Sequence, residues 1–225
     1  SRHRLWRGVV RVAADPPPIV MPVPPLLRVL HIYSGRLYGG VETVLATLAR
    51  ARAACATMEP QFALCFDGRL HDELTAAGSP VHRLGPVRVR RPLTILRARR
   101  ALGALLRRER YDVVVCHSAW PLAVFGPAVR AGGLPLVSWQ HDVPARRHWV
   151  DAWAHRVRPD LVICNSRYTA AHGPSVRGVP MHVLYCPVAF DADRGIDVAT
   201  ERGVVRAELE TPASAVVIIQ AGRLA

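Results

Sequence analysis

Residues Arg28–Arg50 read RVLHIYSGRLYGGVETVLATLAR, and this stretch decides the fold. It opens with a short apolar run, Val29–Tyr33, and passes through a polar turn carrying Gly39 and Gly40. It then continues with Val41, Val44, Leu45 and Leu48 at the i, i+3, i+4, i+7 spacing of one buried helix face. Strand, turn and amphipathic helix in that order form the first half of a βαβ unit, the building block of a parallel sheet.

The alternation continues downstream. Apolar runs at Phe62–Phe66, Val113–Cys116, Leu134–Trp139, Leu161–Cys164 and His182–Tyr185 are read as further strands. A long helix is expected over Pro92–Arg110, with Ile95, Ala98, Ala101, Leu102, Leu105 and Leu106 turned inward. Arg97, Arg99, Arg100, Arg107, Arg108 and Arg110 are expected around the rest of its circumference. The predicted fold class is α/β, a Rossmann-like parallel sheet flanked by helices.

Four segments follow from this pattern. Residues 1–25 are rich in Arg and Pro and read as a disordered extension, with Met21 a candidate native start. Residues 26–190 form the Rossmann-like domain, and 191–212 read as a linker with a short helical segment near Glu201–Glu208. Residues 213–225 hold a new apolar run, Ala215–Ile219, expected to be the first strand of a second domain cut short.

Composition narrows the function classes. Half of the 225 residues are apolar, enough for a substantial core. The net charge of +13 comes from 30 basic residues, every one of them Arg, a skew that a GC-rich coding bias explains. The arginines are scattered and not interleaved with aromatics, so nucleic acid is not an expected partner. Cys55, Cys65, Cys116, Cys164 and Cys186 lie mostly in or beside apolar runs without ligand spacing, as reduced thiols of a cytoplasmic protein do. No run reaches the roughly 18 apolar residues of a membrane-spanning helix. Asp191-Ala192-Asp193 imitates a metal motif but falls in the linker, and no histidine pair has ligand spacing, so no metal is expected.

In open parallel sheets ligands bind beyond the carboxyl ends of the strands, and there this sequence is polar. The first run leads to Ser34, the Val113–Cys116 run to His117 and Ser118, the Leu134–Trp139 run to Gln140, His141 and Asp142, and the Leu161–Cys164 run to Asn165, Ser166 and Arg167. Gly39 and Gly40 begin a helix, where bare N–H groups and the helix dipole favour a phosphate; a tight turn that needs glycine explains them equally well. Glu42 in the first turn complements the dipole. His141, at the mouth of a central strand, can hydrogen-bond a sugar hydroxyl or stabilise charge as a glycosidic bond breaks. His117 has the weaker claim of a surface imidazole, and Ser166 that of a helix N-cap.

Together RVLHIYSGRLYGGVETVLATLAR, YDVVVCHSAWPLAVFGPAVR (Tyr111–Arg130), LPLVSWQHD (Leu134–Asp142), PDLVICNSRYTA (Pro159–Ala170) and VIIQAGRLA (Val217–Ala225) resemble the N-terminal half of a GT4-type glycosyltransferase of GT-B fold. The resemblance implies retaining transfer from a nucleotide-sugar donor to a carbohydrate or lipid-linked acceptor, without a cofactor or bound metal. It implies that Gly39, Gly40 and Glu42 form a loop over the donor diphosphate and that His141 contacts the transferred sugar. Ser34, His117, Ser118, Asp142, Ser166 and Arg167 are then expected to line the acceptor side of the cleft. The donor-binding residues of such enzymes lie beyond AGRL, so this stretch alone is expected to be inactive. Peripheral contact with an anionic membrane, at the inner face of the plasma membrane, is a further expectation. At LYCPVAFD (Leu184–Asp191) relatives commonly carry Asn-Gly, so no ligand role is expected of Cys186-Pro187. The alternatives are a GT-B-like sugar-nucleotide epimerase or phosphorylase, or a non-catalytic carbohydrate- or nucleotide-binding module.

Overall fold

Seven parallel strands form one sheet in the order β3-β2-β1-β4-β5-β6-β7. They are β1 (Leu27–Tyr33), β2 (Met58–Leu64), β3 (Val81–Arg83), β4 (Val113–His117), β5 (Leu136–Gln140), β6 (Leu161–Cys164) and β7 (Met181–Val183). The computed structural model describes residues 26–34, 38–143, 149–173, 176–187 and 197–219. The helices are α1 (Gly40–Arg50), α2 (Arg69–Ala76), α3 (Pro92–Arg108), α4 (Ala119–Ala131), α5 (Trp149–Ala154), α6 (Arg167–His172) and α7 (Val198–Glu208).

The order reverses between β1 and β4, so the sheet is doubly wound and its switch point lies between those two strands. On one face Leu30, Ile32, Val114, Cys116 and Leu136 pack with Leu102 of α3, Ala123 of α4 and Ala154 of α5. On the other, Val29, Val115, Val137 and Trp139 pack under Val44 of α1, and Phe62 and Leu64 pack under Leu45 of α1 and Leu70 and Leu74 of α2. Both faces of the central strands are therefore covered, which is why they read as unbroken apolar runs rather than alternating ones.

Several boundaries differ from those expected. β2 begins at Met58 and runs through Pro60, tolerated because β3 pairs only with Phe62–Leu64 and asks no N–H of Pro60. β3 spans three residues, too few to show a period. Arg99 is not on the open circumference of α3. Pro127 inside α4 has no N–H for the Ala123 carbonyl, and Arg99 donates there from Nη2 at 3.2 Å and to the Val124 carbonyl from Nε at 2.5 Å. Beside it, a Cβ on Gly126 would stand 2.5 Å from Val157 Cγ1, so only glycine lets α4 approach this closely.

The chain divides into two compact units at Pro187/Val188. In the second, Asp197 caps α7 by accepting from the Ala199 N–H at 3.0 Å, and no residue of α7 is buried. The strand expected over Ala215–Ile219 is not formed: Val216, Ile218 and Ile219 are 90%, 91% and 85% exposed. No strand among the described residues offers that segment a ladder, and without one its β-branched side chains gain no burial. Asp191 and Asp193, and the residues from Gln220 onward, lie outside the described residues.

Candidate functional site

The carboxyl ends of β1, β4, β5 and β6 bring the polar residues singled out above to one edge of the sheet. At the switch point, three histidines form a string across it. His31 on β1 meets His117 at the end of β4 (Nδ1 to Nε2, 2.9 Å), and His117 meets His141 after β5 (Nδ1 to Nε2, 2.9 Å). The Trp139 ring stacks on both His117 and His141, with centroids 5.3 and 5.5 Å away, and Phe62 stacks on His31. Burial pushes the His31 and His141 imidazoles down to about 4. Burial, and then its two histidine neighbours, hold His117 well below the ordinary range. The string is therefore neutral at pH 7.

His117 is thus not a cleft contact as expected. It is fully buried behind His141, because its side chain lies on the α1 face with Val115, under the Trp139 ring. The chain leaves it through Ser118, which adopts φ 71° and ψ 174°, a region that side chains rarely occupy. The Ser118 N–H is tied to the Trp139 carbonyl at 2.8 Å.

His141 itself is half-buried at the rim. Its carbonyl accepts from Asn165 Nδ2 at 2.6 Å, and Asn165 Oδ1 accepts from the Thr169 hydroxyl at 2.7 Å, so the end of β6 anchors the loop that carries His141. Gln140 turns to the opposite face and donates to Ser138. Asp142 keeps contact with solvent, but crowding by the protein around its carboxyl, and then Asp151, push its pKa up. Ser166 accepts from the Thr169 N–H at 3.0 Å and is the N-cap of α6, which occupies the hydroxyl expected to face a ligand. Arg167 is exposed at the same edge.

At the start of α1, Gly39 has an extended backbone (φ −165°) and Gly40 is helical, so neither needs the left-handed region. A Cβ on Gly40 would meet nothing within 4 Å. The tight-turn explanation for these glycines therefore fails at Gly40. Glu42 is buried and accepts from the Gly39 N–H through Oε2 at 2.9 Å, with its carboxylate beside the Tyr33 phenol. Burial and then Glu42 raise the Tyr33 phenol well above its ordinary range. Tyr38 donates to Glu73 at 2.8 Å with Arg69 stacked over its ring, fixing the approach to the helix.

Ser34 lines a separate cleft of about 860 Å³ at the same edge. Tyr33, Arg88, Arg90, Trp120 and Trp149 share it. The arginines of this cleft, the tryptophans and His31 escape sequence reasoning, while Asn165 was picked out by its place after β6 but given no role. His31 did leave a signal, a polar residue inside an apolar strand.

Among the described residues no three His, Cys, Asp or Glu side chains are grouped to hold a metal, and no helix is long and apolar enough to cross a membrane. All five cysteines are free.

An open doubly wound sheet with polar groups gathered at the carboxyl edge beside its switch point defines a Rossmann-like ligand-binding lobe. The sequence profile of Glycosyltransferase Family 4 matches residues 38–192, and the chain belongs to that family. The fold is similar to that of Anabaena Alr3699/HepE solved in complex with UDP (TM-score 0.59, 21% identity, 82% of this chain and 50% of that one). It is also similar to the lipopolysaccharide outer core galactosyltransferase WaaB in its apo form (TM-score 0.55, 14% identity, 76% and 50%). Acinetobacter baumannii MurG matches as well (TM-score 0.52, 19% identity, 67% and 43%). The likeness is one of fold: the chain shares the Rossmann-like α/β architecture of these structures, that of one lobe of a GT-B fold. It spans about half the length of the structures it matches. No curated protein sequence matches it.

Proposed function

We propose that this chain forms the acceptor-side lobe of a retaining glycosyltransferase that moves a sugar from a nucleotide-sugar donor to a carbohydrate or lipid-linked acceptor. Family membership supplies the reaction class. The observation that carries the assignment of the site is His141, half-buried at the carboxyl edge beside the switch point with Nε2 engaged by the buried His117. In transfer, the bond between the anomeric carbon and the diphosphate breaks, a bond to the acceptor hydroxyl oxygen forms, and the hydroxyl proton passes to the departing diphosphate. A neutral imidazole there donates to or accepts from a sugar hydroxyl without adding a full charge. Gly40 is exposed at the start of α1 with nothing within 4 Å of where a Cβ would stand, and the free N–H groups of a helix start suit the leaving diphosphate.

The cleft beside Ser34 suits an acceptor that carries both sugar and negative charge. Trp120 brings an aromatic side chain to the cleft for a sugar ring to pack on, and Arg88 and Arg90 offer guanidinium groups to a phosphate or carboxylate. Free buried Cys65, Cys116 and Cys164 fit a cytoplasmic setting. Exposed Leu93 and Leu96 among the α3 arginines support peripheral contact with an anionic membrane. The contacts that strengthen as the diphosphate leaves are supplied by a donor lobe outside this chain.

The test compares release of nucleotide from a panel of sugar nucleotides by this chain and by the longer protein extended through the donor lobe. The longer protein should turn over and the 225-residue chain should not. His141→Ala in the longer protein should lower turnover by about 10²-fold or more. An unchanged kcat in a folded variant removes His141 from the site.

A further inference from the structure

We infer that His117, backed by His31, is a positioning residue that fixes the tautomer of His141, so that His141 presents an Nδ1–H donor to the cleft. Only the catalytic consequence rests on the reading of His141 as the sugar-facing group.

The geometry leaves few arrangements. Each of the two nitrogen-to-nitrogen contacts at 2.9 Å needs one proton between its atoms, and each neutral imidazole carries one. Two proton patterns satisfy both contacts. In the inward pattern, His141 Nε2–H donates to His117 Nδ1, His117 Nε2–H donates to His31 Nδ1, and the last proton sits on His31 Nε2. In the outward pattern, His31 Nδ1–H donates to His117 Nε2, His117 Nδ1–H donates to His141 Nε2, and the last proton sits on His141 Nδ1.

His31 Nε2 decides between them. It is buried without a hydrogen-bond partner, and His31 is only 3% exposed. The inward pattern strands an N–H there, and the outward pattern strands a lone pair. Among backbone groups, orphaned buried N–H donors are rarer than under-satisfied acceptors, and the same order is applied to the imidazole. The outward pattern is therefore the ground state. The same orphan atom makes the inner end of the string a dead end, so protons are not conducted through the protein; the string transmits polarity from the core to the rim. Trp139, stacked on both His117 and His141, restrains the two rings in the tilt that keeps their nitrogens aligned. Burial keeps all three rings neutral, which the one-proton count requires.

The test is long-range ¹H–¹⁵N correlation of the ¹⁵N-histidine-labelled full chain at about pH 7.5, with the His141 signals identified by their loss in His141→Gln. The expected spectrum shows His141 protonated on Nδ1 with a bare Nε2. His117→Phe keeps a ring between Trp139 and His31 but removes the donor to Nε2. It should move the His141 tautomer ratio by roughly tenfold toward Nε2–H. A wild-type His141 protonated on Nε2 overturns the proposal, and so does an unchanged tautomer in folded His117→Phe. If that variant does not fold, the wild-type spectrum alone decides. A chain that shows the Nδ1–H form while His141→Ala in the longer protein keeps full turnover would retire the sugar-facing reading and leave this inference standing.

Discussion

Arg99 of α3 serves the backbone carbonyl that Pro127 of α4 leaves open. Its guanidinium reaches Ala123 O at 3.2 Å and Val124 O at 2.5 Å, and it lies 5.9 Å from the centroid of the Trp153 ring. Burial lowers its pKa, the mark of a cation drawn off the surface. Arg99→Met keeps the aliphatic stem and loses the donors, and it should destabilise the fold by about 1–3 kcal/mol in urea titration. The exposed Arg100→Met should change stability by less than about 0.5 kcal/mol. Equal effects of the two would show that α3 presents both arginines to solvent.

Ser118 holds a backbone conformation that normally belongs to glycine, with φ 71° and ψ 174°. It turns the chain from β4 into α4 directly after the buried His117. Strain of this kind costs about 1–3 kcal/mol, of which the greater freedom of glycine in the unfolded chain returns part. Ser118→Gly should therefore raise stability by about 1 kcal/mol. A variant less stable than the wild type would mean that the serine hydroxyl contributes more than the strain removes.

The neutral histidine string makes the fold acid-labile at an unusually high pH. His31 and His141 fall on folding from the ordinary imidazole value of 6.5 to about 4, through burial. The unfolded chain thus binds protons that the folded chain refuses. The associated stability is fully present above about pH 6.5, declines as the pH falls, and is gone below about pH 4. Between about pH 7.5 and 5 the loss should be on the order of 2 kcal/mol per ring, less where the rings are coupled. His31→Phe, which keeps an aromatic ring against Phe62, should reduce that loss. Urea midpoints measured at the two pH values decide, and a wild type equally stable at both would rule out a buried neutral string.

The parallel sheet was legible because strands covered on both faces write themselves as apolar runs, as at Val113–Cys116 and Leu161–Cys164. The candidate site was sought by the rule of strand ends, which picked out His141 and the Gly39-Gly40 helix start, and these residues do follow directly on β5 and open α1. What stayed hidden depends on side-chain direction across strands that are distant in sequence. His31 and His117 stand 86 residues apart and meet only because β1 and β4 are neighbours at the switch point. Spacing along the chain carries no trace of that meeting, so His117 reads as a surface imidazole. Ser166 was legible in both of its roles, and the geometry of α6 chose the cap. Ala215–Ile219 has the composition of a strand, but pairing decides strands, and local sequence does not supply a partner.

Gly40 separates a ligand's demand from the fold's own. It occupies the first helical position of α1, and an added Cβ would touch no protein atom within 4 Å. Nothing in the packing or backbone requires glycine there. Gly40→Ala should therefore leave the fold as stable as before, or more stable by a few tenths to about 1 kcal/mol, because alanine has less unfolded freedom to lose. If the bare helix start receives the donor diphosphate, the same methyl group intrudes on the phosphate oxygens and lengthens their contacts with the backbone N–H groups. The longer protein carrying Gly40→Ala should then show kcat/KM for its sugar nucleotide reduced by about tenfold or more. A stability gain together with an activity loss is the signature of a residue kept small for a ligand. Unchanged kcat/KM in the stabilised variant would show that the diphosphate does not approach α1 at Gly40.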